Sequence, residues 1–154
     1  MRYAACVYRE VRKTVDANLA LVRRKYDLWN SGGAGPLVEH IWQRDVVFHE
    51  VPEMPDAGVY RGADAVAGRM HELVEAAGHF QITVSALEGC GDYVLASCQL
   101  RATGRFTGLR ITHRLFHVLR CGGGRVREFR AHFDPQRARR DFEQLCAART
   151  ATAP

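Results

Sequence analysis

Few residues in this chain could do chemistry, and the first of them is Glu50. It closes the run Val46-Val47-Phe48-His49-Glu50 and is followed by a break at Pro52 and Pro55. Val46, Phe48 and Glu50 share strand parity, so the carboxylate is expected to point inward with its apolar neighbours. A carboxylate in an apolar hollow suits a general base near neutral pH. An equally physical reading is a structural ion pair with an arginine such as Arg101. His49 has the opposite parity and is expected to meet a neighbouring strand or subunit.

His113 and His117 come next. Four residues apart on a helix, they could share a metal, but the segment reads as a strand. At about 3.3 Å per residue they lie roughly 13 Å apart, too far for common ligation. We therefore assign no metal and no other cofactor. Which face they occupy depends on how the turn Cys121-Gly122-Gly123-Gly124 closes, because one residue of slippage reverses every side chain. That turn is followed by a strand rather than a helix, so it is not a phosphate loop. The sequence shows no serine in a nucleophile elbow and no cysteine–histidine arrangement.

These residues need elements to hold them. Val15, Leu19, Val22, Tyr26 and Trp29 step by 4, 3, 4 and 3, which predicts a helix over 14–30, with Arg23, Arg24 and Lys25 on its other side. Residues 1–13 alternate weakly and leave open an N-terminal arm or an extension of this helix. A short helix is expected from Pro36, burying Leu37, Val38, Ile41 and Trp42. After the flap at 51–58, a third helix is predicted over 62–77. The period then changes to 2, which predicts strands over 79–87, 93–103, 105–120 and 125–133, with Gly108 marking a bulge. A last helix opens at Asp134-Pro135 and runs through Cys146, and the tail Arg149–Pro154 is expected to fray.

Helices followed by consecutive strands predict an α+β fold. The expected architecture is a cone-shaped, strongly bent antiparallel or mixed sheet around three N-terminal helices, with a short C-terminal helix. At 154 residues the chain reads as a single domain over 1–154, long enough to bury a core. A hydrophobic fraction of 47% and a charged fraction of 25% are ordinary for a globular protein. No apolar run approaches the ~18 residues of a membrane span, and the N-terminus lacks the apolar region of a signal peptide. Five scattered cysteines without a C-x-x-C pair fit reduced thiols, and the localisation expected is cytoplasmic. The net charge of +5 comes from arginine. No aromatic residues interleave Arg137, Arg139 and Arg140, so nucleic acid is not an expected partner.

The runs LVRRKYDLWNSGG, RDVVFHEVP, YRGADAV and FHVLRCGGGRVREFRAHFDP make the chain resemble the SnoaL-like branch of the nuclear transport factor 2-like superfamily. The resemblance covers about residues 15–145 and implies the cone fold more firmly than any one reaction. Glu50 falls where ketosteroid isomerases place their aspartate base. Their oxyanion-hole tyrosine and aspartic acid fall at Lys25 and Phe116, with Tyr26 one residue away, a departure that argues against steroid isomerisation. The acid/base aspartate of SnoaL-type cyclases falls at Ala131, beside His132, and His117 matches a histidine of those cyclases.

The resemblance thus implies a cofactor-independent cyclase or isomerase for a hydrophobic polyketide-like small molecule. Glu50 would be its base, and His117 or Tyr26 the donor to an oxyanion. Trp29, Phe48, Tyr60, Met70, Arg101, His113, Phe116, Phe129 and Phe133 are the expected substrate contacts. Two alternatives on the same fold are a non-catalytic binding module and an epoxide hydrolase or dehydratase. The hydrolase would need a second carboxylate, Glu88 or Asp92, beside Glu50. A homodimer through the convex sheet face, carrying His49, Arg130 and His132, is also implied.

Overall fold

The structure, a computed structural model, describes residues 2–152. The first helix, α1 (Arg2–Gly32), is continuous, so the described part of residues 1–13 extends the helix and forms no separate arm. Val22, Tyr26 and Trp29 on its stripe are buried. Lys25 shares that burial, contrary to the expectation that it faces away. It lies three residues after Val22 and four before Trp29, which puts it on the inner face.

A second helix, α2 (Ala34–His40), ends earlier than predicted. Trp42 belongs instead to strand β1 (Trp42–His49), where it pairs with Val126. Ile41 carries the link, its carbonyl accepting the Val126 N–H at 2.8 Å. β2 (Val59–Arg61) runs antiparallel to β1, and α3 (Ala63–Ala77) follows. Gly78 ends α3 with φ 79°, and a Cβ there would stand 2.6 Å from the Thr103 carbonyl oxygen. Only glycine lets the helix end approach that strand so closely.

Four consecutive antiparallel strands complete the sheet: β3 (Gln81–Cys90), β4 (Tyr93–Thr103), β5 (Arg110–Gly122) and β6 (Arg125–His132). The sheet order is β2-β1-β6-β5-β4-β3, with β1 parallel to β6. The predicted third strand began too early. Residues 104–109 form a turn in which Gly104 N–H donates to Leu109 O at 2.8 Å, and Gly108 (φ 66°) belongs to it. The register shifts lie between Trp42 and Val47, between Val84 and Ala86 and between Arg120 and Cys121. Such shifts bend a strand and add twist.

The last helix, α4 (Pro135–Thr152), continues through most of the expected frayed tail. Thr150 and Thr152 bond back to the carbonyls of Ala147 and Arg149 at 2.8 and 3.1 Å; residues 153–154 lie outside the described part. The fold is α+β, with a curved six-stranded mixed sheet.

Two packed layers result. The larger core joins α1, α2 and α3 to the concave face through Val22, Tyr26, Trp29, Phe48, Val66 and Phe129. The smaller sets Ala138 and Phe142 of α4 against Leu95, Phe116 and Val118 on the opposite face. This second layer alters the expected dimer surface. Asp141 of α4 engages Arg130 at 3.1 Å and His132 at 3.0 Å, while His49 lies 3.6 Å from Glu128 on β6. Arg130 and His132 are thus engaged within the chain, whereas His49 Nε2 has no hydrogen-bond partner among the described residues. Among the described residues, no helix is long and apolar enough to cross a membrane.

Candidate active site

The concave face of the sheet, α1 and α3 enclose a cavity of about 320 Å³. Strand parity decides which side chains enter it. Ile111, His113, Leu115 and His117 alternate along β5 toward the cavity, and Phe129 and Ala131 do so along β6. Phe116 has the other parity and packs beneath α4. Trp29, Phe48, Met70, His113, Phe129 and Phe133 therefore line the cavity, whereas Phe116 does not. Tyr60 lies outside the lining, stacked on Phe48 at 6.4 Å. Arg101 is exposed, donates to Gln99 at 3.2 Å, and reaches neither the cavity nor Glu50.

Glu50 enters the cavity wall, and its side chain is 2% exposed. Its partner is Arg69 of α3, whose Nε donates to Oε1 at 2.5 Å. Oε2 accepts the Gly58 N–H at 2.9 Å, and the Glu50 N–H donates to Gly58 O at 3.1 Å. Both carboxylate oxygens thus hold protein donors, and the residue closes the base of the flap. Arg69 is itself stabilised as a cation, first by Glu50 and then by Glu72. The ion-pair reading of Glu50 holds with a different arginine. Arg69 lies three residues after Val66 and four before Leu73, so helical spacing places it beside the inner face of α3.

The inner pole of the cavity is different. Tyr26 Oη stands 2.6 Å from Nδ1 of His117, with the two rings nearly coplanar in orientation at 4° and 5.8 Å between centroids. Tyr26 lies behind His117 rather than on the lining. Burial, then the neighbouring Cys98 and Cys121, hold the phenol well above its ordinary pKa, so it keeps its proton. Burial, then the charges of Lys25 and His132, push His117 well below the ordinary histidine value, so the imidazole is neutral. A phenol that keeps its proton can donate it to Nδ1, the arrangement in which the imidazole's own proton sits on Nε2. That nitrogen has no partner among the described residues.

Lys25 completes this pole. It is 4% exposed, lines the cavity, and forms no ion pair or hydrogen bond among the described residues. Its Nζ lies 4.2 Å from the Tyr26 ring centroid and 5.2 Å from that of Phe129. Burial lowers its pKa to about 8, against a smaller opposing effect of Cys98. The pairing Phe48↔Phe129, His49↔Arg130 carries Glu50 alongside Ala131, which pairs in turn with His117. Glu50 and the histidine therefore stand two strand spacings apart, about 10 Å.

Among the described residues, no second acid lines the cavity beside Glu50. Glu88 pairs with Arg139 at 2.7 Å and Asp92 with Arg149 at 3.3 Å, both away from the cavity. Among the described residues, no group of three or more histidine, cysteine or acidic side chains is placed to hold a metal ion.

Comparison with known proteins adds a family and a fold. The family model described as SnoaL-like polyketide cyclase matches residues 20–142. No curated protein matches the chain. Bal32a, from a soil-derived mobile gene cassette, is similar in structure at 24% identity and TM-score 0.69, over 84% of this chain and 98% of that one. IdmH of Streptomyces antibioticus, assigned provisionally as a polyketide cyclase, is 21% identical with TM-score 0.64, over 74% of this chain and 89% of its own. An LEH-like epoxide hydrolase of M. tuberculosis is 15% identical with TM-score 0.64, over 90% and 98%. At these identities the likenesses establish the fold alone.

Proposed function

The chain belongs to the SnoaL-like polyketide cyclase family, and from that membership we propose a cofactor-independent cyclase or isomerase for an apolar, carbonyl-bearing small molecule. The observation that carries this reading is the Lys25–Tyr26–His117 group at the inner end of an apolar cavity. A substrate carbonyl oxygen seated there meets the Lys25 amine, which becomes cationic as it takes the α-proton, and the Nε2–H of a neutral imidazole. Both gain strength as charge develops on that oxygen, because the surroundings exclude water. The walls formed by Trp29, Phe48, Phe129 and Phe133 hold the rest of the molecule in a folded shape, and orientation supplies part of the rate.

In this reading Glu50 holds the flap closed through Gly58 and Arg69, and proton transfer falls to Lys25. A group titrating at about 8 is matched to neutral pH. An epoxide hydrolase is disfavoured by the absence of a second acid in the cavity lining. The test is deuterium exchange at the α-carbon of an apolar aryl β-diketone, followed by NMR. Wild type should accelerate exchange over buffer, Lys25→Met should lose at least ~100-fold of that acceleration, and Glu50→Gln should lose less. Bound diketone without any acceleration would overturn the enzyme and leave a binding module.

A further inference from the structure

Lys25 is more than a fixed charge. We propose that its Nζ is a covalent site that captures an aldehyde or ketone substrate as a protonated imine. The inference rests on the proposed function in one respect, the seating of a carbonyl at the inner pole.

Four observations carry it. The amine lines a cavity but is 4% exposed, so competing bulk water is scarce. It has no carboxylate partner among the described residues, and the acid in the cavity lining, Glu50, is engaged by Arg69 and Gly58. Its Nζ lies 4.2 Å from the Tyr26 ring centroid and 5.2 Å from that of Phe129, contacts that place the nitrogen without a hydrogen bond. Finally, Tyr26 and His117 form a hydrogen-bonded pair next to it. A lysine desolvated in an apolar pocket is a nucleophile toward carbonyls. With a pKa of about 8, roughly a tenth of the amine is neutral at pH 7, enough to react without prior activation.

The chemistry balances as follows. The neutral amine adds its lone pair to the carbonyl carbon, the C=O π pair moves to oxygen, and a proton passes from the nitrogen to that oxygen to give a neutral carbinolamine. The nitrogen pair then re-forms a double bond to carbon as the hydroxyl takes a second proton and leaves as water. Counted from the ammonium, R–NH3⁺ and O=CR′2 give R–NH⁺=CR′2 and H2O. The Nε2–H of His117 can donate a hydrogen bond to the departing oxygen, while the second proton is the one that the ammonium released to solvent before attack. The iminium then withdraws electrons from the α-carbon, the step that cyclisation by carbon–carbon bond formation requires.

Reductive trapping tests the idea on the intact chain. The protein is incubated at pH 7 with 2-naphthaldehyde and sodium cyanoborohydride, and the adduct is mapped by peptide mass spectrometry. Lys13, the other lysine in the sequence and 67% exposed, is the internal control. The expected result is labelling at Lys25 at least ten-fold faster than at Lys13, suppressed by excess naphthalene and absent in Lys25→Met. Labelling confined to Lys13 and the terminal amine would overturn the proposal. Quenching of tryptophan fluorescence by the aldehyde, measured in parallel, separates the two failures. Quenching without a Lys25 adduct sinks the imine alone, whereas neither signal sinks the carbonyl site as well.

Discussion

Tyr26 Oη and His117 Nδ1 stand 2.6 Å apart although 91 positions separate the two residues in the chain. The bond ties α1 to the middle of β5 across the floor of the cavity. It also decides which imidazole nitrogen faces the cavity, since the phenol occupies Nδ1. Removing the hydroxyl leaves a buried nitrogen unpaired, which costs about 1–3 kcal/mol. Tyr26→Phe should therefore lower stability by that amount in urea denaturation. It should also change the ¹⁵N shifts of His117, as the ring loses the partner that fixed its tautomer. Unchanged shifts would mean that the phenol does not set the tautomer.

Lys25 gives a pH signature whose sign is fixed by burial. In the unfolded chain its proton is held up to the ordinary 10.5, while in the folded chain it leaves at about 8. Between those values the unfolded state binds more protons, so stability rises with pH across that window. Below about 8 both states are protonated and the full penalty applies, on the order of 3 kcal/mol. Lys25→Met should consequently be more stable than wild type at pH 7, with the advantage shrinking toward pH 10. Parallel stability curves for the two proteins across pH 8–10 would show that the ammonium is not desolvated.

His117 carries the same sign at a lower pH. Its folded-state pKa lies well below the ordinary 6.5, so acid loads the unfolded chain with a proton first. Stability should fall as pH drops below about 6.5. The drop should be shallower in His117→Leu, compared by thermal melts at pH 7 and pH 5. Equal slopes would place the histidine in a wetter setting than the cavity wall.

Phe142 tests the second packed layer. It is 3% exposed and sits on α4 with Ala138, over Leu95, Phe116 and Val118. Phe142→Ala should cost about 3–5 kcal/mol, typical of a large-to-small change in a core. A loss below ~1 kcal/mol would mean that α4 does not cover the sheet in solution.

The sequence carried the fold well because period and turn chemistry are local. Val22, Tyr26 and Trp29 traced the buried face of α1, and Val46, Phe48 and Glu50 traced one side of β1. The site was less legible, for reasons that are not local. Phe116 and His117 exchange roles with one residue of register, and β5 pairs with β6 through a register shift between Arg120 and Cys121. Arg69 reaches Glu50 because α3 packs across β1, which no spacing within either segment announces. Lys25 was readable in principle. Its offsets of three from Val22 and four from Trp29 put it on the apolar stripe, but it follows Arg23 and Arg24 and reads as the end of a charged run. Trp42 was assigned to α2 because an apolar residue after Ile41 fits a helix face, whereas its pairing to Val126 depends on β6.

The pair of Glu50 and Arg69 gives the last prediction. Glu50 has a side chain 2% exposed and Arg69 one 19% exposed, so the two ends of the bond are unequally protected. Removing the arginine strands a buried carboxylate, whose cost typically reaches about 3–5 kcal/mol. Changing Glu50 to the neutral amide keeps an oxygen for one of its two donors and strands no buried charge. Arg69→Met should therefore destabilise the protein more than Glu50→Gln does, by urea denaturation at pH 7. The carboxylate also accepts the Gly58 N–H at 2.9 Å, so Glu50→Gln should speed amide exchange at Gly58, the far end of the flap. Equal losses for the two variants, with Gly58 unchanged, would show that the flap is held by other contacts, and Glu50 would again be available as a base.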